Sequence, residues 1–161
     1  MVEYKEFSML KENADEAGIS WKGTPKVERK FFTSSEGFSI SGILWGEEPP
    51  QLVLIHGGAQ NAHTWDTVAL ALDMPLLALD LPGHGHSDWR PKCDYTPFVL
   101  ADQVAEAIQH WAPEAEAVVG MSLGGLTAFC IASDHAQLVR RLGIVDVTPG
   151  TDRTKAEPII N

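Results

Sequence analysis

Positive charge is scarce in this sequence: 12 lysines and arginines stand against 22 aspartates and glutamates, a formal net charge of −10. Such a surface repels phosphate backbones and anionic lipid, and no Lys/Arg cluster offsets it locally, so nucleic acid and membranes are excluded as partners. Cysteine is scarcer still. Cys93 and Cys130 have no spacing that builds a disulfide framework or a CxxC metal site, so both are expected as reduced, structural thiols. The N-terminus, MVEYKEFSML, carries two glutamates and a lysine where a signal peptide needs an apolar core behind a basic start, which points to the cytoplasm. The apolar stretch 117–133 falls short of a convincing membrane span, because Gly120, Gly124 and Gly125 interrupt it where a buried strand would turn into a helix. Repeats, low-complexity runs and domain linkers are missing too, so residues 1–161 read as a single domain.

What is present is an alternation of strands and helices. Residues 1–25 are polar and weakly patterned, and are expected as a loosely packed lead-in. VERKFFT and FSISGILWG then read as two strands around a Ser34-Ser35-Glu36-Gly37 turn, and QLVLIHGG as a short apolar strand ending in a glycine pair. Trp65, Val68, Ala69 and Leu72 fall on one helical face, with Thr64 as N-cap and Asp66 in the first turn. A strand within PLLALDLPGHGHSD follows, then a helix opened by Thr96-Pro97 with Phe98, Ala101, Val104, Ile108 and Trp111 on one face. EAVVGM, a helix over about 123–133 and RRLGIVDV complete the series. A hairpin followed by repeated β-α-β units predicts an α/β fold, a mostly parallel twisted sheet flanked by helices on both faces.

The chemistry sits in VVGMSLGGLTAFC, residues 118–130, where an apolar strand runs through Gly-Met-Ser-Leu-Gly straight into a helix. A serine on so sharp a turn is held in a strained backbone conformation, with its hydroxyl pushed out at the carboxyl end of the sheet. Gly120 and Gly124 remove the side chains that would collide there, and the positive end of the following helix favours a developing negative charge. Ser122 is therefore the candidate nucleophile. An oxyanion beside it needs donors: the N–H of Leu123 is one, and the glycine loop supplies the other through Gly58 or Ala59.

Four motifs occur in order at successive strand ends: His56-Gly57-Gly58, Asp80-Leu81-Pro82-Gly83-His84-Gly85-His86-Ser87-Asp88, Gly120-Met121-Ser122-Leu123-Gly124-Gly125, and Val145-Asp146-Val147-Thr148-Pro149. In these, the chain from about Val27 to Pro149 resembles the N-terminal part of the α/β-hydrolase superfamily, in its serine hydrolase or esterase-like branch. The resemblance implies a small-molecule substrate with an ester, amide or similar carbonyl, and carbon-carbon bond hydrolysis or cofactor-free peroxidase chemistry as variants. It implies no cofactor and no metal. Serine at the turn speaks against haloalkane dehalogenases and epoxide hydrolases, which carry aspartate there. By the same resemblance His56 shapes its loop, the His84-x-His86 pair belongs to a structural loop rather than a metal site, and Asp80 and Asp88 cap and brace that loop, with Asp88 also kept as a site candidate.

Relatives place the triad in the order Ser, acid, His, with the histidine after the eighth strand. Here all six histidines lie at or before His135, so none is in the expected place. Asp146 ends the sixth strand, where some relatives keep the acid, and two roles stay open for it: triad acid or brace of the neighbouring loop. The expectation is a hydrolase sheet truncated after about the sixth strand, without the lid and C-terminal strands, and inactive alone for want of a general base. LGIVDV would then be an apolar edge through which the chain self-associates. The alternative is a non-catalytic remnant or binding module that keeps the fold. Trp65, Trp89 and Phe98 stay open between packing and substrate contact.

Overall fold

The four residues Leu76–Leu79 are all buried, a pattern that suits a strand covered on both faces. In the computed structural model, which describes residues 4–148, this strand lies inside a six-stranded sheet. The strands are β1 (Val27–Thr33), β2 (Ser39–Trp45), β3 (Leu52–Ile55), β4 (Leu76–Leu79), β5 (Ala117–Met121) and β6 (Leu142–Val145), in the spatial order β1-β2-β4-β3-β5-β6. β1 and β2 form the antiparallel hairpin, β2 is antiparallel to β4, and β4, β3, β5 and β6 run parallel. The helices are α1 (Leu10–Glu16), α2 (Asp66–Leu72), α3 (Pro97–Trp111) and α4 (Leu123–Asp134).

Alternation along the strands sorts the core into two layers. Ile40, Val53, Ile55, Leu77 and Leu79 pack under Leu100, Val104, Ile108 and Ile131 of α3 and α4. Ile43, Leu54, Leu76 and Ala78 pack on the other face with Leu10 and Ala69 of α1 and α2. The expected sheet, flanked by helices on both faces, is what forms.

Three local expectations need correction. The lead-in is not loose throughout: Leu10 and Ala14, one helical turn apart, are both buried, and α1 docks beside α2. Burying a leucine contributes about 2 kcal/mol, enough to hold a seven-residue helix that would not form alone. The helix placed after Thr64 begins earlier, as a 3-10 turn over Ala62–Trp65 capped by the Asn61 side chain, whose Oδ1 accepts the His63 N–H at 2.9 Å. At its far end Leu72 is exposed, because Asp73 turns left-handed at φ 49° and ends the buried face. On α3, Ala101, Val104 and Ile108 are buried but Phe98 is 71% exposed, one turn too early to reach the sheet.

The uncharged stretch 117–133 resolves into β5 and α4, and among the described residues no helix is long and apolar enough to cross a membrane. Cys93 is exposed, Cys130 is buried, and both are free thiols. Among the described residues β6 is an edge of the sheet, with Leu142 and Val145 exposed.

Register positions the site. Ile55 stands opposite both Leu79 and Gly120, so the loops that follow β3, β4 and β5 leave the sheet at one level. The chain turns to one side after β3 and crosses to the other after β4, which opens a crevice between β3 and β5 at their carboxyl ends.

Candidate active site

Ser122 occupies that crevice, between β5 and α4. Its backbone, φ 50° and ψ −115°, lies where L-residues are rarely found and costs about 1–3 kcal/mol to maintain. Two hydrogen bonds hold it: the Ser122 N–H donates to the Val145 carbonyl at 2.9 Å, and its own carbonyl accepts from Leu126 N–H at 3.0 Å. The turn is tight enough that a Cβ on Gly120 would lie 2.2 Å from the Gly124 carbonyl oxygen. The side chain is half-buried, and among the described residues its Oγ has no hydrogen-bond partner.

Of the donors expected for an oxyanion, Leu123 adjoins the serine in the chain and the glycine loop packs beside it. Leu123 is the first residue of α4, so its N–H has no partner within the helix. The 57–60 loop closes over the serine: a Cβ on Gly57 would meet Ser122 Cβ at 3.3 Å, and one on Gly58 would meet Leu123 Cδ2 at 4.0 Å. Gly57 N–H is taken by Gln60 Oε1 at 2.8 Å, while Gly58 and Ala59 are exposed, Ala59 in the left-handed region at φ 57°. Leu123 thus adjoins Ser122 in the chain, and Gly57 and Gly58 bring the glycine loop beside Ser122 and Leu123. Asp146 follows β6 at φ 58°, exposed, and among the described residues its carboxylate makes no hydrogen bond, so both roles, triad acid and brace, stay open for it. The neighbouring Val145 carbonyl, not the Asp146 side chain, ties β6 to the serine turn.

No histidine is poised as a base. His56 is fully buried, its Nε2 accepts the Leu81 N–H at 3.0 Å, and its Nδ1 therefore carries the proton and donates to the Gly57 carbonyl at 2.6 Å. Burial pushes its pKa down to about 4, with a smaller contribution in the same direction from His84. One nitrogen holds the glycine loop and the other the loop after β4, so both are spent. His84 Nδ1 lies 3.1 Å from the Pro82 carbonyl, His110 stacks on Phe32, His135 pairs with Asp102, and His86 is exposed. Among the described residues none hydrogen-bonds Ser122, and no three His, Cys, Asp or Glu side chains gather as a metal site.

His56 has a consequence for stability. Its contribution is fully present above the unfolded value of 6.5 and is lost as pH falls through the folded value of about 4, because the unfolded chain takes up a proton that the folded one refuses. Acidification across that window is expected to remove about 3 kcal/mol. Denaturant unfolding at stepped pH checks this, together with an imidazole resonance of His56 that stays unprotonated down to about pH 4.

The residue that sequence reasoning undervalued is Asp80. It is fully buried; Oδ1 accepts the Ala62 N–H at 2.7 Å, and Oδ2 accepts the His86 N–H at 3.1 Å and Arg29 Nη1 at 2.6 Å. Burial alone would raise its pKa, but the Ala62 and His86 N–H groups, the Arg29 guanidinium and Ser41 together hold it below the ordinary carboxylate range. One carboxylate thereby joins the glycine loop after β3 to the loop after β4. Asp88 ties the far end of that loop to β2: its Oδ2 accepts the Ser39 N–H at 2.8 Å, and its carbonyl accepts the Gly83 N–H at 2.9 Å across the loop. Trp65 is core, whereas Trp89 and Phe98 are exposed.

A protein-family model described as the alpha/beta hydrolase fold matches residues 50–158. Esterase Rv0045c of Mycobacterium tuberculosis is 47% identical over 152 residues, covering 94% of this chain and 49% of the relative. Its crystal structure superposes with a TM-score of 0.88 at 45% identity, over 100% of this chain and 55% of that one. A soluble epoxide hydrolase of Corynebacterium sp. is 38% identical over 116 residues, 71% of this chain and 40% of the relative. The chain thus spans about half the length of the curated relatives, or less.

Proposed function

This chain belongs to the α/β hydrolase fold family, and from that premise we propose that it carries the nucleophile and oxyanion donors of a serine esterase. Ser122 Oγ attacks the carbonyl carbon of an ester or related compound, and its proton passes to a histidine from outside the described residues. The N–H of Leu123, with that of Gly58 or Ala59, receives the oxyanion. The imidazolium returns the proton as the carbon–oxygen bond to the leaving alcohol breaks, and water then releases the acid from the acyl-enzyme. Asp146, at the end of β6, is assigned to orient that histidine.

The observation that carries this reading is the backbone of Ser122 at φ 50° and ψ −115°, at the N-terminus of α4, with a hydroxyl that has no hydrogen-bond partner among the described residues. The likeness to an esterase supports the ester class, and serine at the turn sets the chain apart from epoxide hydrolases that use aspartate. One observation favours the second reading, a fold kept without turnover: no described histidine reaches Ser122.

A fluorophosphonate probe separates the two. In the uninterrupted protein it should label Ser122 within minutes, read as a mass shift on the peptide that spans it. No label there would favour the non-catalytic reading. The 161-residue chain alone should stay unlabelled and should elute as large species in size-exclusion chromatography, through pairing of β6 edges.

A further inference from the structure

Charged side chains from four separate parts of the chain meet beside the 57–62 loop. Arg29 of β1, only 8% exposed, donates through Nε to Glu6 Oε1 and through Nη1 to Asp80 Oδ2. Glu6 Oε1 also lies 3.1 Å from His63 Nε2, and His63 Nδ1 lies 2.8 Å from Asp66 Oδ2. Tyr4 and Lys5 line the same cleft.

The circuit closes on itself. Asp80 grips the Ala62 N–H, Ala62 is joined by the chain to His63, His63 meets Glu6, Glu6 meets Arg29, and Arg29 returns to Asp80. Its state depends on His63. An ionised carboxylate only accepts hydrogen bonds, and His63 has one at each ring nitrogen. A neutral imidazole has a single N–H; kept on Nδ1 for Asp66, the nearer carboxylate, it leaves Glu6 facing a lone pair and the ring open. The imidazolium satisfies both.

We propose that Asp80, Arg29, Glu6 and His63 are positioning residues whose ring fixes the 57–62 loop against β1 and the N-terminal segment, and that the ring is closed only while His63 holds both ring protons. Asp66 foremost, with Glu6, keeps His63 protonated above the ordinary imidazole range against the opposing effect of burial. The stabilisation is therefore fully present below 6.5 and is lost as pH rises through the raised value. That the loop is the oxyanion loop rests on the esterase reading, but the ring itself does not.

Amide hydrogen exchange and imidazole titration by NMR, in the natural uninterrupted protein, test this without turnover. The protection factor of the Ala62 N–H should fall at least tenfold as His63 loses its proton, while that of Leu81 N–H, held by His56, stays constant. Glu6→Gln should lower the His63 midpoint and cut Ala62 protection at neutral pH by a similar factor. If that variant fails to fold, the wild-type titration decides alone. Ala62 protection that does not move while His63 titrates would overturn the proposal, as would a His63 midpoint unchanged in a folded Glu6→Gln. An enzyme without esterase activity would leave either result standing.

Discussion

Ser122→Ala in the uninterrupted protein is expected to lower kcat for ester hydrolysis by about four to six orders of magnitude while leaving the fold intact. The size follows from how serine hydrolases work: without the nucleophile, only substrate binding and the oxyanion donors remain, and they account for a small part of the acceleration. The intact fold follows from the structure, because Ser122 Oγ has no hydrogen-bond partner among the described residues and nothing buried is orphaned by its loss. Alanine also inherits the strain at φ 50° unchanged. Glycine does not. Ser122→Gly should be equally inactive but more stable by about 1 kcal/mol, since glycine takes positive φ without penalty. Steady-state kinetics with thermal unfolding of both variants checks this, and an alanine variant with wild-type turnover would place the nucleophile elsewhere.

What could be read from the sequence was what is local. The serine turn is encoded within six residues, and Gly120 and Gly124 sit where a Cβ would strike backbone atoms, so the motif carries its own geometric reason. The two-sided sheet was equally legible, because LVLI and LLAL are apolar without alternation, as strands buried on both faces must be. The ring around His63 was not legible. Its partners are 23, 51 and 57 residues apart in sequence, and Glu6 stands in a segment whose charges look solvated. Nor does periodicity show that a helix of two apolar contacts, Leu10 and Ala14, will dock, since tertiary burial and not propensity decides it. The link between β6 and the serine turn was not legible either, because it runs through the Val145 backbone carbonyl, which no side-chain pattern reports.

Gly124→Ala should be among the most damaging single-methyl changes available to this chain. In the body of a helix alanine is favoured over glycine by about 1 kcal/mol, so propensity alone predicts a gain. Space predicts the reverse. A Cβ at Gly124 would lie 2.4 Å from the carbonyl oxygens of both Ile55 and His56, and neither can yield without moving β3 or the glycine loop. Helix α4 must lift away from the sheet instead, and overpacking against rigid backbone outweighs the propensity term, for a net loss of at least about 3 kcal/mol. In a domain of this size that is a fall in Tm of about 6–12 °C. Because the displaced turn holds Ser122, esterase turnover in the uninterrupted protein should fall by about a hundredfold as well, through misplacement of the nucleophile on the order of 1 Å. Gly58→Ala is the control: its Cβ would meet nothing nearer than Leu123 Cδ2 at 4.0 Å, so Tm should hardly change. Thermal unfolding of the two variants side by side decides the matter, and equal shifts would mean that α4 and β3 are not in the close contact on which the serine turn depends.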